Sequence, residues 1–210
     1  PAEGEDESVM ARRHLDLFMK AIQGEGLAPS ARVQGKYAPV QPQSPGLSER
    51  IWWGAGTDNT AVWTAQQGLN LMSSTLMLED KGMPFDQQQA EQIRLYREEW
   101  VKAGYTRVPR VSVSRSVIPI IDAESARYFG RRAEEDSQDY TGIIDNTFSR
   151  FGRSYIGDPN LIAEELARDA AVQAADTVLL TVPNQLGVDF NLRMLKSIVK
   201  DIKPALTVKA

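Results

Sequence analysis

Residues 50–75 read RIWWGAGTDNTAVWTAQQGLNLMSST. An apolar run, RIWWGA, is broken by Gly54, Gly56 and Thr57. Helical spacing follows from Thr57 to Gln67, and Gly68 closes it as a helix-ending glycine does. A second apolar run, LNLMSS, comes next. The order is strand, turn, helix, strand.

Reading outward, the rhythm repeats. A helix is expected from about Asp86 to Ala103, ended by Gly104, and PRVSVSRSVIPI is a third strand rich in β-branched residues. DAESARYFGRRAEE starts another helix with Asp122 as its N-cap. The stretch from Ser137 to Gly152 is ambiguous. GDPNLIAEELARDAAVQAA reads as one helix with a proline near its start, and DTVLLTVP as the fourth strand. VDFNLRMLKSIVKDI closes the chain as a helix with Leu192, Leu195, Val199 and Ile202 on one face. Upstream, residues 6–22 read as an amphipathic helix built on Leu15, Phe18, Met19 and Ile22. Residues 23–49, rich in Gly, Pro, Ser and Gln, read as a long connection holding a short hairpin near Val33–Val40.

Strands alternating with helices, each strand apolar enough for burial on both faces, argue for a parallel α/β sheet. A doubly wound sheet and a (β/α) barrel both satisfy the pattern. A full barrel needs eight units and typically ~250 residues. Four units after one leading helix make half of one, and residues 1–210 are expected to form a single domain.

The chain is 42% hydrophobic and 25% charged, with a formal net charge of −4. No basic block marks a nucleic-acid surface. There is no cysteine, hence no disulfide and no thiolate metal site, which fits a reducing, cytoplasmic setting. No apolar run reaches the ~20 residues of a bilayer span. The acidic start, PAEGEDESVM, lacks the apolar core of a signal peptide, and its missing initiator Met reads as a piece of a longer chain.

The Gly54–Thr60 turn lies at the carboxyl end of a strand, where ligands sit in parallel α/β folds. Gly54 and Gly56 let the backbone approach an anion closely. The following helix offers free N–H groups and the positive end of its dipole. Thr57 and Thr60 are spaced to aim two hydroxyls at one point over the first turn. This describes a phosphate cradle without a lysine. It equally describes a structural turn in which Thr57 is only an N-cap.

IWWGAGTDNTAVWTAQQGLNLMSST, VSRSVIPI, YIGDPNLIAEEL and DTVLLTVPNQLGVDFN resemble the C-terminal half of a luciferase-like flavin-dependent monooxygenase, from about Gly4 onward. The resemblance implies a TIM barrel of which this chain would hold strands five to eight. It implies reduced FMN reacting with dioxygen on a small organic substrate, with a deazaflavin as the cofactor of one branch. It also implies a homodimer or pairing with the missing half-barrel, and leaves open a separate flavin reductase as a further partner. By position, Gly56 would offer its N–H, and Thr57 and Thr60 their hydroxyls, to the flavin phosphate. Trp63 falls in the same helix as a tryptophan of bacterial luciferase. Met72, Ser74 and Thr75 would face the isoalloxazine ring. Arg12 or Arg13 lies near the place of a phosphate-gripping arginine, a residue or two out of register, and reads equally as a solvated helix arginine. The family's first four units, which carry its catalytic histidine, have no counterpart in these residues, so no catalytic acid or base is assigned.

Arg115 interrupts an apolar strand, where burial demands a partner: an anionic substrate or a structural carboxylate. Asn184 and Gln185 follow the last strand and would either hydrogen-bond a substrate or flavin edge or shape a turn after Pro183. His14, the single histidine, reads as a surface or interface residue. Trp52 and Trp53, adjacent on a strand, must point to opposite faces and read as core. EEDSQD and AEGEDE lack metal-ligating partners and read as solvated faces. Two functions remain open. One is a flavin-dependent monooxygenase. The other is a non-catalytic flavin-binding or truncated half-barrel, whose two sheet edges invite a partner chain or the missing N-terminal half.

Overall fold

The computed structural model describes residues 6–183 and 186–206, and the chain divides into two compact units, Pro1–Ile51 and Trp52–Ala210. In the first unit, α1 (Glu7–Ile22) opens on Asp6, whose carboxylate accepts hydrogen bonds from the N–H groups of Ser8 and Val9. That satisfies two donors the first turn leaves free. Of its expected apolar stripe Leu15 is buried, whereas Phe18 is exposed. The hairpin expected near Val33–Val40 is wider than that: β1 (Gly26–Pro29) pairs antiparallel with β2 (Tyr37–Pro39).

The second unit carries the alternation. It runs β3 (Trp52–Ala55), α2 (Asp58–Gln66), β4 (Asn70–Ser73), β5 (Leu76–Met77), α3 (Phe85–Lys102) and β6 (Val111–Pro119). Then come α4 (Ala123–Phe129), α5 (Arg132–Glu135), β7 (Tyr140–Ile144), β8 (Thr147–Phe151) and β9 (Tyr155–Gly157). It ends with α6 (Pro159–Arg168), α7 (Ala170–Ala174), β10 (Thr177–Thr181), α8 (Gly187–Ser197), a π-helical turn over Ile198–Ile202 and α9 (Lys203–Leu206). The main sheet has the order β10-β6-β4-β3, all parallel, and β9 pairs with the last residues of β6. This is the parallel α/β sheet expected from the sequence, and along this path the strands lie in chain order without a reversal. A separate three-stranded antiparallel sheet, β5-β8-β7, resolves the ambiguous 137–152 stretch as a hairpin. Its tip needs Asp145 and Asn146 at positive φ (48° and 61°), a conformation these two residue types tolerate.

Register assigns the faces, since residues paired in neighbouring parallel strands point the same way. Trp53, Ala55, Leu71, Val111, Val113 and Val178 share the face packed on helices, and Ala55, Leu71, Val111 and Val113 are fully buried there. The other face carries Trp52, Gly54, Met72, Ser114, Ser116, Leu179 and Thr181. Burial on both faces, expected from the apolar runs, is therefore corrected: Met72 is 38% and Leu179 41% exposed on this second face. Trp52 and Trp53 separate as adjacent strand residues must. Trp53 meets Trp63 edge-on at 5.1 Å, and Arg110 lies 5.0 Å over the Trp52 ring.

Two helical expectations are also corrected. The segment after Asp158 is broken at Asp169, which ends α6 and caps α7 by accepting from the Val172 N–H. In the last helix the buried apolar residues are Phe190, Met194, Ile198 and Ile202, while Leu192, Leu195 and Val199 are exposed. No described helix is long and apolar enough to cross a membrane.

Candidate functional site

The turn after β3 sits at the carboxyl end of the sheet. Thr57 has extended backbone and caps α2: its Oγ1 accepts from the Thr60 N–H at 3.2 Å and donates to Thr60 Oγ1 at 2.9 Å. The structure shows the Thr57 cap, with the two hydroxyls bonded to each other. Gly56 is tight as well as permissive, because a Cβ there would meet Leu78 Cγ at 3.3 Å. A Cβ on Gly54 would reach only Met72 Cε, at 3.9 Å, so the backbone at Gly54 lies open.

A strap following β4 runs along this turn. Ser74 N–H donates to the Ala55 carbonyl at 3.0 Å and Leu78 N–H to that of Gly56 at 2.9 Å. Glu79 Oε2 lies 3.4 Å from the Asp58 N–H, and Lys81 pairs with the Asp58 carboxylate. The positive end of α2 therefore already faces a carboxylate, which is favourable for the helix dipole. For a phosphate, the fit is mixed. The hydroxyl pair, the glycine backbone and Lys81 suit a dianion, and Glu79 must leave before one can settle.

Ser74 and Thr75 lie in the bend between β4 and β5, where Ser74 Oγ accepts from the Leu76 N–H at 3.3 Å. Met72 is on the open face, in register with Gly54. Gly54, Gly56, Thr57, Thr60, Met72, Ser74 and Thr75 therefore share one end of two adjacent strands. Thr75 also borders a cleft of about 270 Å3 over the carboxyl ends of β6 and β10. Its floor is Ser114, Ser116 and Thr181, its rim includes Arg132 and Arg153, and one wall is Tyr140 stacked on Phe151 at 4.7 Å. Sequence reasoning missed this wall because it left the hairpin that builds it unassigned.

Arg115 points to the helix-packed side. Its Nε reaches Asp169 Oδ2 at 2.6 Å and its Nη2 reaches Oδ1 at 2.9 Å, with both side chains buried. Tyr155 OH donates to the same carboxylate at 2.6 Å. Burial pushes the Asp169 carboxyl up, but the bonds and charge of Arg115 outweigh it and hold the group below the usual carboxylate range. Burial, reinforced by the charge of Asp169, pushes the Tyr155 phenol well above its ordinary value, so it stays a donor. Of the two alternatives for Arg115, the structure shows the carboxylate partner.

Arg12, Arg13 and His14 are exposed residues of α1 in the first unit. Asn184 and Gln185 lie outside the described residues. Among the described residues no group of three or more His, Cys, Asp or Glu side chains could hold a metal ion.

No family model and no curated protein matches this sequence. Solved structures do match by fold. Monooxygenase RslO1 from Streptomyces bottropensis superposes with a TM-score of 0.60 at 15% identity, over 90% of this chain and 59% of its own. Apo-MsnO8 superposes with a TM-score of 0.56 at 19% identity, over 96% of this chain and 62% of its own. The chain is thus similar in fold to both, and it spans about three-fifths of the length of each.

Proposed function

We propose that this chain is the flavin-binding C-terminal half of a luciferase-like monooxygenase built on a (β/α)8 barrel. The intact enzyme uses reduced FMN with dioxygen on a small organic substrate, with a deazaflavin as the alternative cofactor. The observation that carries this reading is the Thr57–Thr60 hydroxyl pair, 2.9 Å apart at the N-terminus of α2 and at the carboxyl end of β3. The sequential order of the parallel strands and the fold likeness to a monooxygenase support it. The Gly56 backbone, Thr57 and Thr60 hold the phosphate once Glu79 has moved off the Asp58 N–H, and Met72, Ser74 and Thr75 border the ring. A bound reduced flavin supplies the electrons that activate dioxygen. This chain's residues bind and orient it, and the strand-end cleft admits the substrate. A homodimer supplied by a separate reductase belongs to the same reading.

A second reading, a non-catalytic half-barrel that needs a partner chain, is favoured by one observation. The second face of the parallel sheet is uncovered at Met72, Leu179 and Thr181, whereas parallel sheets are normally covered on both. A titration of the chain with FMN, followed by flavin fluorescence, tests the first reading. Saturable binding that is lost in Thr57→Ala/Thr60→Ala is expected. Binding that survives the double substitution removes the turn from the account.

A further inference from the structure

Gln88, Gln89 and Gln92 of α3 are all fully buried, on the same side of the helix as Phe85, Ile93, Tyr96 and Trp100. A buried amide is costly unless its donors and acceptor find partners. Here the amide donors find partners that share a location, while Gln89 Oε1 is buried without one. Gln92 Oε1 accepts from Ser73 Oγ at 2.7 Å, and its Nε2 reaches the Ala55 carbonyl at 3.4 Å. Gln89 Nε2 donates to Ser73 Oγ at 3.1 Å and to the Ser74 carbonyl at 2.8 Å. Gln88 Nε2 donates to the Glu79 carbonyl at 2.8 Å.

Ala55 is the last residue of β3 and Ser73 the last of β4. Ser74 begins the bend and Glu79 sits on the strap. The residues that follow these anchors are Gly56 and Thr57 on one side and Thr75 on the other. Further along the same helix face come Ile93, Tyr96 and Trp100, with the Tyr96 hydroxyl donating to the Leu69 carbonyl at 2.8 Å and the Trp100 indole N–H to that of Arg107 at 3.0 Å. The glutamines thus anchor the two strand ends and the strap that follows them, whereas Tyr96 bonds at Leu69, just before β4.

We propose that Gln89 and Gln92, with Gln88 at the outer end, are positioning residues that fix the β3–α2 turn and the β4–β5 bend relative to each other, so that both present to one ligand. The ligand named, a flavin phosphate with its ring, rests on the function proposed above. The positioning itself does not. Amides suit this task because a bond to a backbone carbonyl fixes direction as well as distance. An aliphatic side chain of equal volume fills the same space without fixing either.

The test uses the whole chain and the variants Gln92→Met and Gln89→Met. A control, Leu166→Ala in α6, is matched to them in thermal stability by choice of temperature. Backbone amide hydrogen exchange is followed without ligand, and FMN affinity is measured in parallel. In Gln92→Met, exchange at Gly56–Thr60 and at residues 74–79 should accelerate at least about fivefold beyond the control, as expected when buried carbonyls lose their donors. FMN Kd should rise by a similar factor. Gln88→Met carries the same expectation for residues 78–79 and serves if Gln92→Met does not fold. Exchange equal to the control at both segments overturns the proposal, even if the wild type binds FMN. Accelerated exchange in a chain that binds no FMN supports the positioning role and sinks the flavin reading.

Discussion

Replacing Arg115 with Met leaves Asp169 buried with its charge uncompensated. In the native chain Arg115 and Asp169 side chains are 4% and 1% exposed and share two parallel hydrogen bonds. After the substitution Asp169 keeps only the Tyr155 hydroxyl at 2.6 Å and the Val172 N–H at 2.8 Å. Breaking one side of such a pair typically costs about 3–5 kcal/mol, against a total stability of about 5–15 kcal/mol. Asp169→Leu costs a comparable amount by stranding Arg115, and adds the loss of the α7 cap, about 1 kcal/mol. The double variant, Arg115→Met/Asp169→Leu, removes both charges and should be far more stable than the sum of the single losses implies. Urea unfolding of the four proteins in a double-mutant cycle gives the coupling directly. A coupling of about 2–3 kcal/mol is expected for a fully desolvated, bidentate pair. Single losses below about 1 kcal/mol, adding without coupling, refute the structural assignment and return Arg115 to the list of ligand-binding candidates.

The same pair sets a pH dependence. Because the folded Asp169 carboxyl titrates below its unfolded value of about 3.9, its contribution is present above that pH and is lost as pH falls through the lower folded value. Unfolding followed from pH 6 to pH 2 should show this loss, and in Asp169→Asn the slope should be shallower. Thr57→Ala should cost about 1 kcal/mol in urea unfolding through loss of the α2 cap. Gly68→Ala should cost at least about 1–2 kcal/mol, since Gly68 has φ +67° and a Cβ there would press on the Tyr105 ring at 2.8 Å. Light scattering should find the isolated chain self-associated. A monodisperse monomer at 100 μM-scale concentration (roughly, well above typical dimer constants) counts against the half-barrel account.

The β/α rhythm was legible because each of its markers is local. Thr57 and Asp122 cap, Pro159 opens a helix, and Gly68 and Gly104 terminate. What escaped depends on contacts far apart in sequence. RDAAV reads as continuous helix, and the break at Asp169 exists because Arg115, 54 residues away, holds that carboxylate. Arg115 itself announced a partner without saying which. The 137–152 hairpin lacks alternation, since Tyr140, Ile143 and Ile144 are all exposed. The glutamine ladder was hidden by type, as glutamine on a helix is ordinarily read as solvated. Its spacing carried the signal: residues 85, 88, 89, 92, 93, 96 and 100 make one helix face. In the candidate site, the grouping of Gly54–Thr60 with Met72, Ser74 and Thr75 could be read from two adjacent strand ends. The carboxylate of Glu79 over Asp58 could not, because the strap's path across the turn is set by the pairing of β5 with β8.

The claim that the β3–α2 turn holds a flavin phosphate is tested most directly by comparing FMN with riboflavin, which has the same ring and no phosphate. The two affinities are measured for the wild type and for Thr57→Ala/Thr60→Ala. A preference for FMN of at least about tenfold is expected, from two or more charge-assisted hydrogen bonds, and it should collapse in the double variant. Equal affinities for the two flavins in the wild type, or a preference that survives both substitutions, would contradict the account.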